Sequence, residues 1–242
     1  MNNFVGFFDV HTHLLPGVDD GSSCMEETMI MIKIAWEQGI QTMIATPHYA
    51  VGRENIPVDE LRRIKDMVEE EAKKLDKNIR IYLGNEIFYS DSIIEKLNSK
   101  QALTLADSQF VLVEFSYEEA YSEIYRGLLR LVNSGYIPIL AHVERYFVLY
   151  KREDWIGELI KMGCYMQMNG NSLIGGRMNA RVNYNLKLLN NGMVHFLGSD
   201  CHDFRVRIPN IKRAVDILLK KSDTQTVIQI LYENPMRLLE NA

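Results

Sequence analysis

Short apolar runs alternate along this chain with longer amphipathic segments, and this alternation limits the fold more than any other feature. Runs that are apolar throughout are typical of parallel strands covered by helices on both faces of the sheet. Repeated strand–helix units predict an α/β protein, either an open doubly wound sheet or a closed barrel. The seven apolar runs are residues 5–10, 42–46, 79–83, 110–115, 137–141, 164–168 and 194–198.

The segments between the runs have the spacing and the end signals of helices. Ser23 and Glu26 have the spacing of a capping box, and Gly39 is placed to end the helix that follows. Pro57 stands near the first turn of the second helix, where proline is tolerated. The remaining helices are predicted at residues 57–77, 90–97, 121–134, 154–161, 179–191, 210–220 and 224–232.

Composition excludes several classes of protein. The 242 residues carry 27 Lys and Arg against 32 Asp and Glu, and this net charge of −5 argues against a nucleic-acid partner. No apolar run approaches 18 residues, and the first residues lack a basic segment, so we expect no membrane insertion and a cytoplasmic location. The three cysteines have no metal-type or disulfide-type spacing. No linker-like stretch divides the chain, which predicts one domain over residues 1–242.

Polar side chains follow the apolar runs at every predicted strand end but the sixth. In a barrel the carboxyl ends of all strands meet at one mouth, whereas an open sheet concentrates its site at one switch point. This distribution favours a barrel of seven strand–helix units. The side chains in question are His11, His13, His48, Glu86, Glu114, His142, Asp200 and His202.

These strand ends have the composition of a metal site. Residues at i and i+2 of a strand face the same side, so His11 and His13 can hold one cation together. Asp20 lies in an Asp-Asp-Gly segment that, taken alone, favours a turn over a ligand, whereas Cys201 and His195 are predicted to have packing and structural roles. Five imidazoles and four carboxylates exceed the needs of one ion and suit two or three cations, and Mn, Fe and Zn all fit such donors.

The motifs together resemble the PHP (polymerase and histidinol phosphatase) superfamily. More narrowly, the chain is similar to the bacterial manganese-dependent protein-tyrosine phosphatases of capsule and exopolysaccharide operons, over nearly its whole length. The resemblance is carried by the segments 9–21, 46–48, 84–86, 141–146, 199–202 and 234–235, together with Glu114.

The resemblance implies a distorted (β/α)7 TIM-like barrel, the PHP fold, with a trinuclear manganese site. One ion would take His11, His13, Glu86 and Asp200; Glu86 would bridge to a second ion held by Glu114 and His142; a third would take Asp20, His48 and His202. Arg145 and Arg207 match the phosphate-binding positions, although Arg205 competes with Arg207 for this role. The implied substrate is a phosphotyrosine protein, the tail of a membrane-associated bacterial tyrosine kinase that governs polysaccharide synthesis.

Three alternatives remain open. A small-molecule phosphatase such as histidinol phosphatase would share the metal site and differ in the loops at residues 116–121 and 169–177. An amidohydrolase-type metal enzyme also begins with His-x-His, but such enzymes often use a modified lysine at the fourth strand end, where this chain has Glu114. A non-catalytic interaction module would retain the fold without needing all nine polar groups.

Overall fold

A computed structural model describes residues 6–176 and 178–240. Val5 of the first predicted strand and Arg177 of the loop at residues 169–177 lie outside these ranges. It has parallel strands alternating with helices, so the predicted α/β class is confirmed. The described strands are β1 (Phe7–Thr12), β2 (Ile40–Ala45), β3 (His48–Ala50), β4 (Arg80–Leu83), β5 (Glu86–Phe88), β6 (Phe110–Glu114), β7 (Ile137–Leu140), β8 (Tyr165–Asn169) and β9 (Phe196–Gly198).

The helices follow the predicted segments closely. They are α1 (Met25–Glu37), α2 (Val58–Lys73), α3 (Ile93–Asn98), α4 (Tyr121–Asn133), α5 (Glu153–Lys161), α6 (Ala180–Asn190), α7 (Ile211–Lys221), α8 (Thr224–Ile228) and α9 (Asn234–Met236). A π-helical turn, Gln229–Glu233, joins the last two. None of the described helices combines the length and the apolar character that a membrane span requires.

The predicted capping box of α1 is wrong in detail. The helix begins after Cys24, and the Ser23 hydroxyl donates to Glu27 Oε2 at 2.6 Å instead of capping the first turn. The Ser23 backbone N–H donates to the same carboxylate at 3.0 Å, so the acidic partner lies one residue further along the chain than predicted.

The structure has two short strands that the sequence did not predict. β3 follows the second predicted strand after a break at Thr46 and Pro47, and β5 follows the third after a break at Gly84 and Asn85. Proline has no N–H to give to a ladder, and a Cβ on Gly84 would lie 2.6 Å from Leu105 Cδ2, so the chain runs close to its neighbour there. β1, β2 and β4 therefore form one sheet, and β3, β5, β6, β7, β8 and β9 form another.

The first and last strands lie side by side and complete a ring of neighbours. Asp200 N–H donates to the carbonyl of His11 at 2.8 Å, and His13 N–H donates to the carbonyl of Cys201 at 2.9 Å. Thr12 and Cys201 form a parallel bridge. The neighbour order β1–β2/β3–β4/β5–β6–β7–β8–β9–β1 is that of a distorted seven-unit barrel, as the sequence predicts.

The ring has an apolar interior. One buried cluster contains residues from five strands and is separate from the larger core between the strands and the helices. The residues of the inner cluster are Phe8, Val10, Ile44, Leu105, Phe110, Leu112, Ile139, Ala141, Phe196 and Leu238.

The register of β1 shifts between Asp9 and Thr12, where Asp9 Oδ1 accepts the N–H of His11 at 3.4 Å.

His195 has the structural role that the sequence predicts, and this role makes stability depend on pH. Its Nδ1 accepts the N–H of Met166 at 3.0 Å, and burial lowers its pKa from 6.5 to about 4. The unfolded chain therefore binds a proton more readily, so stability is lost as pH falls from about 6.5 towards 4. We expect His195→Gln, which keeps an acceptor, to remove about 2 kcal/mol of the stability that the wild type loses between pH 7 and pH 4.5, as measured by urea unfolding at the two pH values. Equal pH dependence in both proteins would contradict this role.

Candidate metal centre

The imidazoles of His11, near the end of β1, and of His13, just after it, face the same side, as their spacing predicts. His11 and His13 are fully buried, and their Nε2 atoms lie 3.2 Å apart. Asp19 Oδ2 lies 2.7 Å from His13 Nδ1 and accepts the backbone N–H of His48 at 3.1 Å. Burial would lower the pKa of His13, but Asp19 and Glu86 raise it to about 10. The side chain of Asp19 therefore sets the orientation of the ring.

Glu86 lies at the centre of the imidazoles. Its Oε2 is 3.1 Å from His11 Nε2, 3.2 Å from His13 Nε2 and 3.1 Å from His48 Nδ1, while its Oε1 is 2.8 Å from His142 Nε2. Burial alone would raise the pKa of this carboxyl group. The charge of His11 and the hydrogen bonds from the surrounding imidazoles hold the pKa well below its usual range.

Asp200 joins the imidazoles to two guanidinium groups. Its Oδ1 lies 3.6 Å from Nε2 of both His11 and His13. Arg145 Nη2 is 2.9 Å from Oδ2, and Arg207 Nη2 donates to Oδ1 at 2.8 Å. Burial opposes ionisation, but His11, Arg145 and His13 lower the pKa of Asp200 to about 2. The carboxylate is therefore charged at neutral pH.

The outer part of the cluster is more open to solvent. Asp20 Oδ1 lies 3.4 Å from Nε2 of both His48 and His202, and its side chain is two-thirds exposed. The ring centroids of His13 and His202 are 3.9 Å apart. Glu114 Oε1 is 3.7 Å from His48 Nδ1, and its other oxygen is 3.5 Å from the imidazole of His142. The structure thus brings all nine sequence-predicted side chains into one cluster.

The donor set fits divalent cations. Groups of donor atoms within 4.8 Å of one another combine imidazole nitrogen with carboxylate oxygen and contain no thiolate. Buried His202 Nε2 forms no hydrogen bond with any described residue, as expected of a donor that faces a cation. The three groups are His13, Asp20, His48 and His202; His11, His13, Glu86 and Asp200; and His48, Glu86 and Glu114.

This grouping differs in part from the sets that the sequence resemblance implies. The set of His11, His13, Glu86 and Asp200 is the same in both. The set of Asp20, His48 and His202 gains His13 as a further neighbour. Glu114 groups with His48 and Glu86, whereas His142 contacts the same two carboxylates, at 2.8 Å from Glu86 and 3.5 Å from Glu114, without joining a group.

Amide side chains on β8 support the cluster, and the sequence analysis missed them because it found no chemistry at the sixth strand end. Gln167 Oε1 accepts the backbone N–H of His142 at 2.7 Å and lies 3.3 Å from His11 Nδ1. Asn169 Nδ2 donates to Asp200 Oδ2 at 2.7 Å. Buried amides in an apolar strand need partners, so the Gln-x-Asn spacing was the signal available in the sequence.

The backbone is strained at two residues of the cluster. His142 has φ 35° and Asp200 has φ 52°, both in the left-handed region that non-glycine residues seldom adopt. Such strain persists where surrounding contacts fix the conformation, and it is common at functional sites. Here the Gln167 contact to the His142 N–H and the hydrogen bond from the Asp200 N–H to His11 hold the two backbones.

Six of the nine side chains line a cavity of about 660 Å³ at the mouth of the strand ring: Asp20, His48, Glu86, Glu114, His142 and Asp200. Arg145 and Arg207 both line this cavity, whereas Arg205 lies on the exposed side of the loop with its guanidinium 4.9 Å from the Phe204 ring. Asp203 accepts the N–H of Arg207 at 3.2 Å and so shapes the loop that turns this arginine inward. Tyr117 also lines the cavity, and its hydroxyl accepts from Arg145 Nη1 at 3.1 Å.

A parallel α/β ring with imidazole and carboxylate groups at its strand ends defines a class of barrel proteins able to bind metal ions. The chain belongs to one family within that class, described as "Capsular polysaccharide synthesis, CpsB/CapC", whose model matches residues 7–240. The resemblance found in the sequence is thereby confirmed.

Individual relatives agree with this assignment. Tyrosine-protein phosphatase CpsB of Streptococcus agalactiae is 31% identical, covering 96% of this chain and 98% of the relative. Tyrosine-protein phosphatase CpsB of Streptococcus pneumoniae is 32% identical, covering 96% and 97%. A solved structure described as YwqE from Bacillus subtilis and CpsB from Streptococcus pneumoniae, "unique metal-dependent tyrosine phosphatases", matches at TM-score 0.88 and 29% identity over 97% of this chain and 94% of that one.

Proposed function

We propose that this chain is a metal-dependent phosphomonoester hydrolase that removes phosphate from tyrosine residues of proteins, with residues 1–242 as one catalytic domain. One observation carries the proposal: four carboxylates and five imidazoles form one cluster beside two guanidinium groups, and both guanidinium groups line the cavity onto which this cluster opens. The names of the relatives support the same activity.

We assign the nine side chains to two or three Mn²⁺ ions, and Fe and Zn would suit the same donors. His11, His13, Glu86 and Asp200 would hold one ion. Glu86 would be shared with a second ion bound by Glu114 and His142, with His48 close to both carboxylates. Asp20, His48 and His202 would hold a third. With neutral imidazoles the four carboxylates leave an excess of negative charge, which divalent cations balance.

The residues of the chain position the phosphoryl group. When bound, divalent cations neutralise phosphoryl charge and lower the pKa of nearby water, so that hydroxide is available at neutral pH. Arg145 and Arg207 would bind the non-bridging oxygens through charge-assisted hydrogen bonds, bidentate where the geometry allows. Asp200 holds both guanidinium groups at the cavity wall before substrate arrives. The Tyr117 hydroxyl accepts a hydrogen bond from the other terminal nitrogen of Arg145, Nη1, so the Arg145 side chain is preorganised.

Tyrosine phosphate suits a site of this kind. A phenolate leaving group, with a pKa near 10, departs more readily than a serine alkoxide and depends less on a general acid. The substrate we propose is the phosphotyrosine tail of a membrane-associated bacterial tyrosine kinase that regulates capsular or exopolysaccharide synthesis. The family description supports the capsule context. Such a tail faces the cytoplasm, where we place the enzyme.

Metal removal gives the first test of the proposal. We expect p-nitrophenyl phosphate turnover to fall at least about 100-fold after dialysis against EDTA, because charge neutralisation and water activation both depend on the cations. Added Mn²⁺ should restore turnover. Activity that survives complete chelation, checked by elemental analysis of the same sample, would rule out the proposed chemistry.

Substrate preference gives a separate test. A phosphotyrosine peptide should be hydrolysed with higher kcat/KM than histidinol phosphate, which is the substrate of the small-molecule alternative. The reverse preference would keep the phosphatase chemistry and overturn the tyrosine assignment.

A further inference from the structure

A groove continues from the catalytic cavity across the surface, and the charged residues that line it are mainly basic. Its volume is about 700 Å³, and it shares Tyr49, Arg53, Asn55 and Ile56 with the cavity that holds the metal cluster. A polypeptide whose phosphotyrosine occupies the cavity must leave the cavity along its walls. The groove is one such exit, because no gap separates the two linings.

Three cations in the groove are not neutralised by a direct ion pair. The guanidinium group of Arg53 and the ammonium groups of Lys96 and Lys100 form no ion pair with any described residue; Lys96 Nζ donates to Gln101 Oε1 at 2.8 Å, and Lys100 acts on Asp107 only at longer range. The fourth cation of the lining, Arg62, is neutralised by a bidentate ion pair with Asp107. Its Nη2 donates to Oδ1 at 2.7 Å, and its Nη1 donates to Oδ2 at 3.1 Å. Asp59 is the one carboxylate that lines the groove in the described part of the chain. A local excess of positive charge thus lies beside the active site of a chain whose net charge is −5.

The loop that carries Arg53 is held in place by its own hydrogen bonds. Asn55 Oδ1 accepts the N–H of Ala50 at 3.1 Å, and Asn55 Nδ2 donates to the carbonyls of Ala50 and Arg53 at 2.9 and 2.8 Å. Gly52 has φ 82°, a conformation that glycine tolerates best. The asparagine closes the turn, and the Arg53 side chain projects from a fixed base. Binding a ligand there would cost little loop ordering.

We propose that this groove, lined by Arg53, Lys96 and Lys100, binds anionic side chains of the substrate polypeptide several residues away from the phosphotyrosine that is being hydrolysed. The proposal rests on the proposed function, since it extends the substrate beyond the catalytic cavity. Carboxylates and further phosphotyrosines share the required charge. Exposed cations of this kind act mainly on encounter rate and on peptide affinity, and their effect is screened by salt.

The test compares matched peptides with matched variants. The peptides contain one phosphotyrosine and carry either glutamates, glutamines or a second phosphotyrosine at the flanking positions. Lys96→Gln/Lys100→Gln removes two groove charges that do not line the catalytic cavity. Lys33→Gln/Lys220→Gln removes two exposed charges from α1 and α7, which lie outside the groove lining, and serves as the control.

We expect the wild type to hydrolyse the glutamate and diphosphorylated peptides with a kcat/KM about five- to tenfold above that of the glutamine peptide at low salt. The groove variant should lose most of this preference, through KM, while p-nitrophenyl phosphate turnover stays within twofold of the wild type. The control variant should keep the preference. Charge reversal, Lys96→Glu/Lys100→Glu, should invert it in favour of a lysine-flanked peptide.

Equal kcat/KM for acidic and neutral peptides in the wild type, or an unchanged preference in the groove variant, would overturn the groove assignment while p-nitrophenyl phosphate activity left the phosphatase proposal intact. A preference confined to the diphosphorylated peptide would restrict the occupant to phosphate groups and would contradict a role for carboxylates. Failure of the wild type on every phosphate ester would instead count against the proposed function itself.

Discussion

Replacing Glu86 with glutamine should lower kcat for p-nitrophenyl phosphate by at least about 10³-fold and empty most of the metal site. The substitution keeps the size of the side chain and removes the one charge that lies within 3.2 Å of His11, His13, His48 and His142. An amide is a poor cation ligand and cannot bridge two ions as a carboxylate does. Metal content by elemental analysis, steady-state kinetics and thermal unfolding would be measured on the same preparation.

The control for this prediction is Glu69→Gln. Glu69→Gln makes the same chemical change on α2, away from the metal cluster, where the carboxylate pairs with Lys65 and Lys73 and accepts the N–H of Ile81 at 3.4 Å, a bond that the amide oxygen can keep. This variant should retain wild-type metal content and activity. If Glu86→Gln bound a full complement of metal and turned over substrate near the wild-type rate, Glu86 would not be the shared ligand that we assign.

Replacing the side chain of Arg145 or Arg207 should produce the second largest loss of phosphatase activity. We expect each alanine substitution to reduce kcat/KM about 100- to 1,000-fold, because each removes a preorganised donor to the phosphoryl oxygens. Arg145→Lys should recover only part of this, since an ammonium group keeps the charge but loses the planar fork that contacts Asp200 and Tyr117. Inhibition by inorganic phosphate should weaken in parallel, which separates loss of anion binding from loss of metal.

Arg205→Ala is the matched control for Arg207. Its guanidinium lies against Phe204 outside the cavity, so we expect activity within about twofold of the wild type. A loss with Arg205→Ala as large as with Arg207→Ala would show that the loop presents the other arginine to phosphate.

The order of the elements could be predicted from the sequence because continuous apolar runs and helical spacing both depend on local pattern. The two additional short strands, β3 and β5, could not be predicted from that pattern. The break before β5 depends on the close approach of Gly84 to Leu105, a contact between segments 21 positions apart. The break before β3 depends on Pro47, whose position is visible in the sequence although its effect on the strand is not. These breaks place His48 and Glu86 at the starts of the short strands β3 and β5, instead of after the ends of longer ones.

The candidate metal ligands were predictable because imidazoles and carboxylates are costly beside apolar strands unless something balances them. The supporting residues were harder to recognise. Asp19 has the sequence context of an ordinary turn, and only the folded chain shows its 2.7 Å contact with His13. Gln167 and Asn169 carry no charge, so their Gln-x-Asn spacing was a weaker signal than an imidazole or a carboxylate at a strand end. The choice between Arg205 and Arg207 likewise required the loop geometry around Asp203.

The seam that closes the strand ring runs through the proposed ligands themselves. His11 and Asp200 are joined by a backbone hydrogen bond, although about 190 positions of chain separate them. Bringing such distant segments together costs conformational entropy that local contacts do not repay. A cation held by both side chains would fasten the two ends of the fold to each other, so metal supply in the cell would govern how much of this protein resists unfolding as well as how fast it works.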